Sequence, residues 1–176
     1  TPVRNSEEGT KELKAIYGTN IVKMKDSAGN DMQDALKFLQ DEEYLAQINY
    51  QPLDSGEELK DYDEKQACVL LAQISKRNKI ILNQIETAID NNESTIVFAC
   101  SVDHVIALVA LCRAEELCVD FIIGEVSTSK RLEIMERFKN KDLKVIINHD
   151  MLSTGIDLPA VNKLIITRPI GSSIYY

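Results

Sequence analysis

Asn148-His149-Asp150-Met151-Leu152-Ser153-Thr154-Gly155-Ile156-Asp157-Leu158-Pro159 crowds an amide, an imidazole, carboxylates, hydroxyls and a glycine into one stretch. Groups of this kind hold phosphate oxygens by hydrogen bonding. Directly before them, Val145-Ile146-Ile147 is a β-branched run too short for a helix and too apolar for a surface strand. It reads as a central parallel strand covered on both faces. Ligands of open parallel sheets sit beyond the carboxyl ends of the strands, which is where this polar stretch falls. A well-capped loop explains the same residues, because Asp and Ser satisfy orphan N–H groups at helix starts and Gly closes turns. The rest of the chain has to decide between them.

Other chemistries find no support. No Gly is followed by Lys, so the phosphate loop G-x-x-x-x-G-K-S/T is absent, and there is no G-x-S-x-G elbow. His104 and His149 have no His or Cys partner at the spacing of a nucleophile pair or metal site. No metal ligands are assigned. Cys68, Cys100, Cys112 and Cys118 form no C-x-x-C pair and fall in apolar contexts. They are expected to be buried thiols in a reducing compartment.

The elements that must position the polar stretch follow a regular beat. Thr95 to Ala99, Val119 to Ile123, Val145 to Ile147 and Leu164 to Thr167 read as strands, with helices over Val102 to Leu117 and about Ser129 to Asn140 between them. These are βαβ units, so the sheet should be parallel with right-handed crossovers. From Glu64 to Ile89 the apolar residues fit one long helix or two, interrupted by Lys76-Arg77-Asn78-Lys79, whose basic groups are assigned to packing. Each strand ends in small polar groups: Cys100 and Ser101, then Gly124, Ser127 and Thr128, then the opening stretch, then Arg168-Pro169. Four such exits on one edge favour a phosphate-rich ligand.

Upstream, Leu13, Ile16 and Tyr17 share a helical face closed by Gly18, and Ile21-Val22 suggests a strand. Met32, Ala35, Leu36 and Leu39 repeat at helical spacing behind Asp31 as N-cap, and Tyr44 to Leu53 look extended. The acidic run Glu57 to Glu64 separates an N-terminal appendage, residues 1–64, from a main lobe, residues 65–176. The net charge of −8 is concentrated in residues 1–66, with 8 Lys/Arg against 15 Asp/Glu; residues 67–176 hold 12 against 13. The near-neutral part is therefore free to present one edge to phosphate. No apolar run is long enough to cross a bilayer and the sequence contains no basic-then-apolar leader, so a cytoplasmic protein is expected.

These residues resemble a known family. Thr95-Ile96-Val97-Phe98-Ala99-Cys100-Ser101-Val102-Asp103-His104 looks like helicase motif IV, and Gly124 with Arg131, Ile134, Met135 and Phe138 looks like the segment of the motif IVa arginine. Asn148 to Pro159, centred on Ser153-Thr154-Gly155-Ile156-Asp157, looks like motif V. With Arg168-Pro169 they cover residues 95–176 in order. The family is the superfamily 2 DEAD/DEAH-type DNA helicases, nearest to RadD-like repair helicases and the helicase part of type III restriction enzymes. Thr1-Pro2 resembles the tail of motif III, and Tyr176 falls just before the expected place of motif VI, Q-x-x-G-R-x-x-R, so the chain is expected to be a piece of a longer protein.

The resemblance implies an α/β, RecA-like second motor lobe behind a mixed α/β appendage. It implies ATP and Mg²⁺ in the complete protein, with the phosphate loop and metal carboxylates on a first RecA-like lobe and transition-state arginines in motif VI. No catalytic residue falls within these 176 residues, and alone they should be inactive. Gly155 and Asp157 are expected at the nucleotide. Ser101, Arg131, Ser153 and Thr154 are expected on the nucleic-acid backbone, although Arg131 could instead pair with Glu125. Thr154 stands where DEAD-box proteins carry arginine, which favours DNA as partner. The competing reading is a non-catalytic RecA-like module that binds nucleic acid or protein.

Overall fold

A computed structural model of the protein describes residues 25, 28–29, 34–56, 62–152 and 161–169. The chain divides into two compact units, the second spanning Asp54–Gly171. In the first, helix α1 (Ala35–Asp41) starts behind Asp34, whose carboxylate accepts the Lys37 N–H at 2.9 Å. Asp34, three residues after the expected Asp31, is the N-cap. Residues 46–55 have no regular structure. The helix expected around Leu13 and the strand at Ile21-Val22 lie outside the described residues.

The second unit opens with α2 (Glu64–Gln73), begun by a reciprocal cap in which Asp63 accepts the Gln66 N–H and Gln66 accepts the Asp63 N–H. α2 and α3 (Ser75–Asp90) are separate helices, broken at Ile74, which leaves the helical region at φ −78° and ψ 105°. The basic run expected to break the helix instead forms the first turn of α3. Asn78 explains why: its side-chain amide donates to the Ala72 carbonyl at 2.8 Å, serving a group that the break would leave unpaired. Asn78, Ile81, Ile85 and Ala88 then form the buried face of α3.

The sheet is built from β1 (Thr95–Phe98), β2 (Val119–Ile122), β3 (Val145–Asn148) and β4 (Lys163–Ile166). Every pair is parallel and the order is β2-β3-β1-β4. Helix α4 (Val102–Ala114) connects β1 to β2, and α5 (Thr128–Lys139) connects β2 to β3. Because side chains alternate across a strand, two apolar layers result. Val97, Val145 and Ile147 pack with Ile81, Ile85, Val105, Leu108 and Cys112 from α3 and α4. Ile96, Ile122 and Ile146 pack with Ile134 and Phe138 from α5. Each fully buried side chain of this size contributes about 1.5–3 kcal/mol. β3 is buried along its whole length, as its β-branched run requires, while edge strand β4 leaves Leu164 and Ile166 exposed.

All four cysteines are thiols: Cys100 and Cys112 are buried, and Cys68 is half-buried. Burial pushes the Cys112 thiol up to about 11. Cys118 corrects the expectation of four buried thiols, because α4 ends at Ala114 and leaves Cys118 exposed in the connection to β2. Among the described residues no helix is long and apolar enough to cross a membrane.

Candidate nucleotide and nucleic-acid edge

Since all four strands run the same way, their carboxyl ends share one edge. At the exit of β1, Ser101 is the N-cap of α4, its hydroxyl oxygen accepting the His104 N–H at 3.1 Å. The cap uses a lone pair and leaves the O–H as a donor. His104 itself is buried. Its Nδ1 accepts the Cys100 N–H at 3.1 Å, which places the ring proton on Nε2, 3.0 Å from Asn78 Oδ1. Burial, and then the nearby Arg77 guanidinium, bring its pKa down to about 4, so the ring is neutral at pH 7. It orients this junction and carries no charge to a ligand.

Arg77 ties the same junction to the end of β4. Its guanidinium donates to the Thr167 carbonyl and stands 3.9 Å from Cys100 Sγ, while the Cys100 thiol donates to the same carbonyl at 2.9 Å. Thr167 Oγ1 closes the set by donating to the Phe98 carbonyl at 2.8 Å. Sequence reasoning assigned Arg77 to packing and did not single out Asn78. The available signal was an asparagine at position 78 on the same helical face as Ile81, Ile85 and Ala88, a polar residue within an apolar stripe.

At the exit of β2, Ser127 caps α5 by accepting the Lys130 N–H at 3.3 Å. Arg131, in the first turn, donates through Nη2 to the Val126 carbonyl at 3.3 Å, where the sequence offered Glu125 as a partner. Its Nε is buried without a hydrogen-bond partner. At the exit of β3, Asn148 is fully buried, with its amide donating to the Val97 carbonyl at 3.0 Å and its Oδ1 unpartnered. His149 Nδ1 donates to the Ala99 carbonyl at 3.3 Å. Asp150 follows with a left-handed backbone, φ 56°, and an ion pair to Arg168 from the exit of β4.

The structure therefore places Ser101 and Arg131 at the exits of β1 and β2, on the same edge of the sheet. Ser153, Thr154, Gly155 and Asp157 lie outside the described residues. Among the described residues no three His, Cys, Asp or Glu side chains gather as a metal ion would need. Among the described residues the edge offers hydroxyls, helix starts and guanidinium groups, which is chemistry that can bind phosphate.

Comparison with known proteins identifies the family. The chain belongs to the helicase conserved C-terminal domain family, whose model matches residues 76–176. Its parallel sheet with flanking helices is the RecA-like fold of a helicase C-terminal lobe. It is similar to the ATP-dependent RNA helicase ROK1 of Scheffersomyces stipitis, 37% identical over 70 residues, 40% of this chain and 12% of that protein. It is also similar to the putative ATP-dependent helicase IRC3 of Saccharomyces cerevisiae, 26% identical over 80 residues, 46% of this chain and 12% of that protein. Each match thus spans about an eighth of the relative's length. Among solved structures, T4 UvsW superposes with a TM-score of 0.52 at 26% identity, covering 63% of this chain and 23% of that one.

Proposed function

We propose that the chain is the second motor lobe of an ATP-dependent superfamily 2 helicase or translocase that moves on DNA. Its family membership over residues 76–176 carries this reading. Within it, Gly155 and Asp157 face the nucleotide, and Ser101, Arg131, Ser153 and Thr154 follow the phosphates of one nucleic-acid strand. Ser101 and Arg131 sit at helix starts on one edge of the sheet, after β1 and β2 with β3 between them, and this supports such a track. A first RecA-like lobe supplies the phosphate loop and Mg²⁺ carboxylates, because no Gly-Lys pair exists in this sequence. The affiliation we favour is with RadD-like repair helicases and type III restriction subunits.

DNA is preferred over RNA because Thr154 replaces the arginine that DEAD-box proteins place there. The opposite reading, RNA, is favoured by the name of ROK1, an RNA helicase that is 37% identical over 70 residues. Equilibrium binding of the complete protein to DNA and RNA strands of one sequence, and to an unrelated DNA, separates them. Tighter binding to DNA with no preference between sequences is expected. Tighter binding to RNA would replace the proposal with the second reading.

A further inference from the structure

One ion pair on the ligand edge joins strands that are not neighbours. β1 lies between β3 and β4, yet Asp150, two residues past the end of β3, pairs through Oδ1 with Arg168, two residues past the end of β4. With strands about 4.8 Å apart, the contact spans two spacings, roughly 10 Å, and bridges the exit of β1. The second oxygen of Asp150 stands 3.4 Å from His149 Nε2, and His149 Nδ1 is held by the Ala99 carbonyl of that same exit. Asp150 also makes the bend at φ 56° by which the chain leaves β3 toward Met151 and Leu152, the latter buried in the layer under α5. Asp tolerates this left-handed conformation better than most residues. A carboxylate on the bend, tied to β4 and standing beside a ring tied to β1, sets the direction of that departure.

We infer that Arg168 is a positioning residue for the ligand edge, acting through Asp150 to orient the stretch of residues 149–152 that follows β3. The inference rests on the function proposed above and adds to it a residue that touches neither nucleotide nor nucleic acid. Asp150 is 58% exposed and Arg168 20%. A pair with one partner this exposed adds little to stability, so its effect should appear in turnover.

The test is a double-mutant cycle in the complete protein with Arg168→Gln and Asp150→Asn, Asn being chosen because it keeps the left-handed tolerance. Misplacement by about 1 Å costs on the order of 100-fold in rate, and a partly retained bend should cost about tenfold in nucleic-acid-stimulated kcat for each single variant. KM for ATP should stay within about twofold, because the pair acts on the arrangement of the edge without contacting the nucleotide. Thermal midpoints should stay within about 4 °C of the parent. The double variant should lose about tenfold and not hundredfold, since the two residues act as one unit. Arg168→Lys, which can still pair, should fall nearer the parent than Arg168→Gln. Multiplicative losses in the double variant would put Arg168 on the substrate itself and overturn the inference, as would parental turnover in both single variants. A parent that no nucleic acid stimulates would overturn the proposed function and this inference with it, so the two failures are read from different proteins.

Discussion

His104 Nε2 donates to Asn78 Oδ1 across 3.0 Å while its other ring nitrogen accepts the Cys100 N–H. Accepting the Cys100 N–H needs the neutral ring, and burial with Arg77 nearby brings the pKa from 6.5 to about 4. The unfolded chain therefore takes up this proton first, between pH 6.5 and about 4, so stability is full above that window and falls as pH drops through it. The contribution is about 3 kcal/mol. Urea unfolding of the parent and of His104→Gln should differ most at pH 7, with the difference shrinking toward pH 4. A constant difference across that range would remove His104 as the titrating group.

Phe138 fills the layer between α5 and the sheet with no exposed surface. Phe138→Ala should destabilise the second unit by about 3–5 kcal/mol, the range for a large aromatic removed from a core. Chemical denaturation should show this as a lower midpoint at unchanged slope. A loss below about 1 kcal/mol would mean that this layer repacks freely, which a close-packed interior does not do.

The strands and their direction were legible because buried parallel strands are β-branched runs bounded by polar exits, as in Thr95 to Phe98 and Val145 to Ile147. The caps at Ser101 and Ser127 follow from hydroxyls placed just before apolar periods. The break at Ile74 was not legible, since isoleucine carries no breaking chemistry and the group that makes the break tolerable is the Asn78 amide. Contacts between distant residues were hidden for a related reason. Arg77 reaches a carbonyl 90 residues away, and Asp150 meets Arg168 only because the sheet order brings β3 and β4 to either side of β1. Periodicity does not encode that order. Cys118 was misjudged because its burial depended on where α4 stops.

Asp157, proposed at the nucleotide, should matter for ATP more than for nucleic acid. A hydrogen bond from a ribose hydroxyl to a carboxylate contributes about 1.5–3 kcal/mol, so Asp157→Ala should lower kcat/KM for ATP by roughly 10- to 100-fold in the complete protein. Its affinity for nucleic acid should change by less than about threefold, a few tenths of a kcal/mol at most. Unchanged steady-state kinetics in a folded variant would leave Asp157 as a turn cap only.

On the proposed backbone track Arg131 exchanges its contact with the Val126 carbonyl for phosphate, and its buried Nε has no hydrogen-bond partner without one. Arg131→Ala should weaken binding by a similar factor on unrelated sequences. The slope of log affinity against log salt should flatten by about 0.7 to 0.9, one counterion fewer released. A titration that keeps the parental slope would take Arg131 off the backbone track.

ATP hydrolysis by the complete protein, measured without nucleic acid and then with saturating single-stranded DNA or RNA of the same sequence, tests the motor-lobe reading most directly. A lobe that couples ATP to movement on DNA predicts turnover that rises at least about tenfold with DNA, a lowering of the barrier by about 1.4 kcal/mol, and rises less with RNA. Turnover that neither nucleic acid changes, in a protein that binds ATP and is folded, would contradict the motor reading and leave a binding module in its place.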